Sequence, residues 1–165
     1  MKKLLTVIVL AFTLLALAAC GSSQQPEEAE STQIPNPWQE CATLEEAEEL
    51  AGFDIAVPDR IEGYPETLIQ AAEDSMIQVF YLEDDSDDAD SILIRKGIGT
   101  EDISGDYSEY AQNTEATMHG VEVTTKGSDG KIFTATWTQD GYAYSIHADS
   151  GTEYSLIEDL VELVK

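Results

Sequence analysis

The sequence predicts an α+β domain over residues 40–165, an antiparallel sheet of about six strands with an N-terminal and a C-terminal helix packed on one face. A capping-box pattern opens an amphipathic stretch at either end, at Thr43-Leu44-Glu45-Glu46 and at Ser155-Leu156-Ile157-Glu158. Between them lie short runs of β-branched and aromatic residues, punctuated by Asp-Gly steps at 129–130 and 140–141.

In chain order, the first helix spans 44–51. The Thr43 hydroxyl can accept the Glu46 N–H while the Glu46 carboxylate returns to the Thr43 N–H. Leu44, Ala47, Leu50 and Ala51 form its apolar stripe, Gly52 suits a left-handed ending, and the glutamates crowd the first turns, where the helix dipole favours them. Strand-like runs follow at 67–72, 76–82 and 91–96, separated by the turn 73–75 and the acidic stretch 83–90. Both alternate sets of 76–82 are apolar, so this strand is expected to be covered on both sides. Residues 97–117 read as a looser stretch with one helical turn at 107–111, and 120–126, 131–138 and 142–147 as further strands. Glycine accepts positive φ at the Asp-Gly turns between the later runs. Phe133, Ala135 and Trp137 are expected on one face, and Thr134, Thr136 and Thr138 on a wet one. Ile157, Leu160, Val161 and Val164 have the spacing of a buried helical face in the final helix.

The first residues carry an address instead of a fold. A basic start, Met1-Lys2-Lys3, precedes an apolar run over 4–16, which reads as a signal peptide at residues 1–19. Leu17-Ala18-Ala19-Cys20 then resembles the lipobox of bacterial lipoproteins. That resemblance implies lipidation of Cys20, cleavage before it, and anchoring by acyl chains at the extracytoplasmic face of the cell membrane. Residues 20–39, rich in Ser, Gln, Glu and Pro, read as a disordered acidic tether.

Charge and composition exclude several functions. The chain has 165 residues, 33 acidic and 8 basic, for a formal charge of -25; loss of 1–19 would leave 33 acidic against 6 basic side chains, or -27. Nucleic acid and anionic headgroups would be repelled, so no nucleic acid is expected as a partner of the folded surface. With 2 cysteines in all, a disulfide scaffold and a Cys-rich zinc site are excluded.

Thr43-Leu44-Glu45-Glu46-Ala47, Gly52-Phe53, Pro58, the Gly63-Tyr64 step, and Trp137 followed by Gly141-Tyr142-Ala143-Tyr144 resemble domain of unknown function 4367 over residues 43–165. The resemblance implies an exported protein, often a lipoprotein or the outer domain of a membrane protein in Gram-positive bacteria. It implies no enzymatic activity and supplies no catalytic residues.

Candidate chemistry is sparse. The run 83–90 is rich in carboxylates but departs from the EF-hand loop, with Ala89 at the glycine position and Arg95 at the terminal Glu position counted from Asp84. It reads as a solvated hairpin loop, with weak calcium binding as the alternative and no metal site expected. His119 and His147 show no ligand spacing and read as exposed or strand-edge side chains. Cys41 reads as a buried small hydrophobe, with an intermolecular disulfide as the alternative.

Arg95 and Lys96 either satisfy carboxylates such as Asp102 and Asp106 or mark an anion pocket. With Tyr107, Trp137, Tyr142 and Tyr144 they make up the candidate ligand or partner surface, although aromatic residues in strands also serve as core or cross-strand pairs. No cofactor is expected. The chain therefore reads as a lipid-anchored, non-enzymatic binding, sensing or accessory module at the cell envelope, taking a small ligand or a basic envelope protein. The alternatives are an envelope hydrolase using carboxylates such as Asp102 and Asp106 near Tyr107, and a structural subunit of a membrane complex.

Overall fold

Tight turns with left-handed residues set most of the strand pairing. In the computed structural model, which describes residues 36–86 and 88–165, Asp129 and Gly130 (φ 54° and 82°) and Asp140 and Gly141 (φ 53° and 86°) form the two Asp-Gly turns. His119 and Gly120 (φ 47° and 86°) form another of the same kind. These signs match the twist of the flanking strands, so the register follows from the turns.

The elements are β1 (Gln39–Cys41), α1 (Leu44–Ala51), β2 (Glu66–Ala72), β3 (Met76–Leu82), β4 (Ser91–Ile98), β5 (Gln112–Met118), β6 (Val121–Ser128), β7 (Lys131–Gln139), β8 (Tyr142–Thr152) and α2 (Tyr154–Leu163). The strands form an eight-stranded sheet, every neighbouring pair antiparallel, in the order β1-β2-β3-β4-β8-β7-β6-β5. The α+β class stands, with 8 strands where about six were expected. The two extra strands lie at the sheet edges: β1, three residues long, and β5, whose sequence Gln-Asn-Thr-Glu-Ala-Thr-Met is mostly exposed and carries no alternating apolar signal. Gly97 and Ile98 extend β4 by pairing with Ala143 and Tyr142, and no helical turn forms at 107–111.

Helix packing also differs from a layer covering one face. The short α1 packs on β1, β2 and β3, and α2 packs on β5, β7 and β8, so each helix serves its own end of the sheet. Between them Phe53, Ile55 and Ile61, from the segment that follows α1, complete the core. Ala56 and Lys165 exchange backbone hydrogen bonds, which ties that segment to the chain's last residue. Among the described residues no helix is long and apolar enough to cross a membrane. The stretch expected to be a signal peptide, Cys20, and the part of the expected tether up to residue 35 lie outside the described residues.

The helix ends show how local sequence sets boundaries. Thr43 Oγ1 accepts the Glu46 N–H at 3.2 Å, and Glu46 accepts from the Ala42 N–H at 2.8 Å instead of the Thr43 N–H. At α2 the second capping box does not form: β8 runs to Thr152, the helix starts at once, and Glu153 occupies the cap position without a side-chain bond. Thr43→Ala is expected to lower stability by about 1 kcal/mol in urea unfolding, the usual cost of a lost N-cap.

A bulge where β7 pairs with β8, between Ile132 and Thr134, changes the expected facing of β7. Ala135 and Trp137 still enter the core, but Phe133 turns to the open face of the sheet and stacks on Tyr110 with centroids 5.2 Å apart. On the other side of β7, β6 bulges at Lys126/Gly127. A Cβ on Gly127 would lie 2.1 Å from the Lys131 carbonyl oxygen, so Gly127→Ala must displace backbone. We expect it to cost about 2 kcal/mol, measurable as a lowered Tm.

Candidate functional site

The face of the sheet away from the main core carries Gln78 on β3, Leu93 and Arg95 on β4, His147 and Asp149 on β8, and Phe133 and Thr134 on β7. Residues 99–111, which connect β4 to β5, cross this face and enclose a cleft of about 460 Å³. Its walls include Arg95, Asp106, Tyr110, Phe133, His147 and Asp149.

The crossing segment is shaped by its own side chains. Asp102 Oδ1 accepts the Ser104 N–H at 2.8 Å and Asp106 Oδ1 accepts the Ser108 N–H at 2.9 Å, two local turns in succession. Gly105, at φ +72° between them, brings the backbone against Arg95: a Cβ there would sit 2.8 Å from Arg95 Nη1. Arg95 then pins the segment down. Its Nη1 donates to the carbonyls of Ile103 at 3.0 Å and Ser104 at 2.7 Å, and its Nε donates to Gln78 Oε1 at 2.9 Å. Burial pulls the guanidinium below its ordinary pKa, which for arginine still leaves it charged.

A second attachment runs through Asp106, whose side chain is 5% exposed. Thr134 Oγ1 donates to Asp106 Oδ2 at 2.6 Å, the Ser108 N–H donates to Oδ1, and the nearby hydroxyls of Tyr110 and Ser108 also favour the charged carboxylate. Burial alone would raise the carboxyl's pKa. These bonds outweigh it and hold the group well below the usual carboxylate range. Thr134 has one hydroxyl proton and it goes to Asp106, so the 3.1 Å contact between Thr134 Oγ1 and His147 Nδ1 requires Nδ1–H to donate. His147 Nε2 faces Asp149 Oδ1 at 3.4 Å, while Asp149 Oδ2 accepts from the Ser91 N–H at 3.1 Å and hydroxyl at 2.6 Å. A continuous polar chain thus joins the crossing segment, β7, β8 and β4.

The residues singled out as one surface from the sequence are divided between the two faces. Arg95 is in the cleft, but it bonds carbonyls and Gln78 where carboxylates were expected; Asp102 is taken by Lys126 Nζ at 3.2 Å. Lys96, next along β4, points into the core. Its Nζ donates to the Asp54 carbonyl at 2.7 Å and lies 4.5 Å, 5.4 Å and 5.6 Å from the ring centroids of Tyr142, Tyr144 and Phe53. Burial lowers the pKa of this amine, against the opposing pull of Asp54, Glu48 and Asp140.

Trp137 and Tyr144 are buried as a cross-strand stack, centroids 5.1 Å apart and planes 3° from parallel, on the core side. Tyr142 is half-buried against that core. Tyr107 is 97% exposed, and Tyr110 lines the cleft in its place.

His147 is the functional candidate that sequence reasoning missed. Alternation along β8 places it on the face opposite the core residue Ile146, but its partners come from residues 106 and 134, whose proximity depends on the bulged β7–β8 register and the crossing segment. His119 occupies a turn, its Nε2 4.0 Å from Glu162. Cys41 is half-buried on edge strand β1, and burial and nearby Glu46 raise its thiol pKa. Among the described residues no group of at least 3 His, Cys, Asp or Glu side chains is arranged to hold a metal ion. Comparison with family models, curated proteins and solved structures finds no match to this chain.

Proposed function

We propose that the chain is a lipid-anchored protein of the extracytoplasmic face of the cell membrane, and that its folded domain is a non-enzymatic module binding a small polar ligand in the open-face cleft. The cleft carries the binding part of this reading: it combines an aromatic pair, an imidazole and a half-exposed carboxylate in one concavity on a hydrogen-bonded sheet. The lipobox Leu17-Ala18-Ala19-Cys20 supports the anchoring part.

Two features weigh against hydrolysis. Thr134, His147 and Asp149 stand in the order of a nucleophile, a base and an orienting acid. Yet Thr134 is 0% exposed and its proton is committed to Asp106, so a substrate cannot reach it. Asp106, held ionised by several donors, is a poor general acid, and Asp102 pairs with Lys126 elsewhere.

Thermal unfolding of the full chain against a panel of small polar compounds tests the binding part. At 100 times its Kd a ligand stabilises the folded state by about 2.7 kcal/mol. A compound that raises the Tm of the wild type but not of Tyr110→Ala supports the cleft; compounds that shift both proteins alike contradict it. For the anchor, Cys20→Ala is expected to move the protein from the membrane fraction to the soluble fraction, and retention in the membrane would contradict lipidation at this residue.

A further inference from the structure

We infer that the outer edge of β5, with the groove between it and α2, takes an extended basic segment of a partner protein as an added strand. β5 ends the sheet order, and among the described residues β6 is the strand that pairs with it. The two-residue turn at His119 and Gly120 makes Met118 and Val121 a hydrogen-bonded pair, so by alternation Gln112, Thr114, Ala116 and Met118 direct their backbone groups at β6. Asn113, Glu115 and Thr117 direct theirs outward, where no strand of the described residues meets them. The pairing with β6 holds one register over all 7 residues of β5, and no proline interrupts the strand, so the outward groups form a regular row.

The groove beside this edge selects the segment. On the core side of β5, Gln112, Thr114, Thr125, Gly127, Ile132 and Tyr154 line a pocket of about 170 Å³, and Tyr154 is 45% exposed there. Tyr154, Glu158 and Glu162 recur at every fourth position of α2 and so lie along one line of the helix. That line follows β5: Tyr154 shares the pocket with Thr114, and Glu162 lies 4.0 Å from His119, in the turn after Met118. Four helical residues advance about 6 Å and two strand residues about 6.7 Å. Residues of an added strand opposite Thr114, Ala116 and Met118 therefore face Tyr154, Glu158 and Glu162 in turn. An apolar side chain suits the first of these positions and Lys or Arg the other two. Antiparallel, the sense of every other pair in the sheet, the added strand reads basic-x-basic-x-apolar from its N-terminus.

Charge decides between the possible occupants. Lys126 and Lys131, the lysines at this end of the sheet, are bound to Asp102 and to the Ser150 carbonyl, so neither neutralises Glu115, Glu158 or Glu162. A second copy suits the edge poorly, because antiparallel pairing of two β5 strands about their centre sets Glu115 against Glu115. The chain's own residues 20–35 bring Glu27, Glu28 and Glu30 and no basic side chain. A basic segment from another protein gains from the formal charge of -25 on approach and from these three carboxylates once docked.

NMR titration of the isotope-labelled full chain with the end-blocked peptide Lys-Thr-Lys-Thr-Leu-Thr tests the inference. The expected result is saturable shifts centred on the Asn113, Glu115 and Thr117 amides and on Tyr154. N-methylation of the peptide's second threonine, which removes the donor to the Glu115 carbonyl and keeps every charge, should weaken binding about tenfold or more. Glu158→Lys combined with Glu162→Lys should weaken it as much. Glu45→Lys combined with Glu49→Lys, the same charge change at the same spacing on the exposed side of α1, should change it by less than about twofold. Undiminished binding of the N-methylated peptide, or equal weakening by the two charge reversals, would reduce the effect to diffuse attraction and overturn the inference. Shifts confined to residues 104–108 would move the peptide to the open-face cleft, and the absence of saturable shifts would remove the edge as a docking site; either result overturns it. Shifts of the β5 amides with protein concentration alone would assign the edge to a second copy instead of a partner.

Discussion

Arg95→Met is expected to destabilise the domain by about 3 kcal/mol, through three hydrogen bonds made by one charged side chain. Methionine replaces much of the volume but leaves the Ile103 and Ser104 carbonyls and the Gln78 amide oxygen without that donor. Orphaned polar groups next to a sheet cost more than the bonds themselves were worth in net terms. The loss should be local before it is global, because Arg95 holds residues 103–105 and not the core. Chymotrypsin provides the readout: Tyr107 is fully presented to solvent, but cleavage requires the chain around it to open. Faster cutting at Tyr107 or Tyr110 at temperatures where the sheet remains intact is the expected signature. Arg95→Lys should be intermediate, since an ammonium keeps the charge and lacks the fork. A change of under about 0.5 kcal/mol for Arg95→Met would remove it as the fastening.

Asp106→Ala is expected to cost a similar amount, about 3 kcal/mol, by a different route. It takes the acceptor from the fully buried Thr134 hydroxyl and from the Ser108 N–H. This residue also has a pH signature whose sign follows from its lowered pKa. Such a carboxylate contributes stability that is fully present above the ordinary value of about 3.9 and is lost as pH falls through the lower folded value. The stability difference between wild type and Asp106→Asn should therefore be constant near neutral pH and shrink in the acid limb. Urea unfolding at a series of pH values measures it. A difference that grows on acidification would mean that the carboxyl is not held in its charged form.

Local signals decided how much of the architecture could be read. Thr43, Gly52 and the Leu44-Ala47-Leu50-Ala51 stripe give α1 its bounds because capping and amphipathicity act within one or two turns. The Asp-Gly steps fix the β6–β7 and β7–β8 hairpins for the same reason. What was not legible depends on distant neighbours. β5 is an edge strand whose polar residues form a strand only because β6 is beside it. β4 pairs with β8 across a long stretch that begins at Gly99 and ends at Gly141, and nothing within that stretch announces the pairing.

The candidate site divides along the same line. Arg95 could be singled out as one of few basic residues, but its partners could not, because the carbonyls of Ile103 and Ser104 carry no side-chain signature. The aromatic residues Trp137 and Tyr144 met one another in the core as a cross-strand pair. Phe133 left the expected face through a bulge that no residue type marks. His147 gained its role from Thr134 and Asp106, which come from a neighbouring strand and from the crossing segment and lie well before it in the chain.

The central claim is that residues 99–111 lie fixed across the open face and so enclose a standing cleft. Amide hydrogen exchange on the full-length protein tests it most directly. The account predicts that the Ser104, Asp106 and Ser108 amides, bonded to Asp102, Ser104 and Asp106, exchange at least about tenfold more slowly than in an unstructured peptide, and that Arg95→Met abolishes this protection. Exchange of these amides at the unstructured rate in the wild type would contradict it.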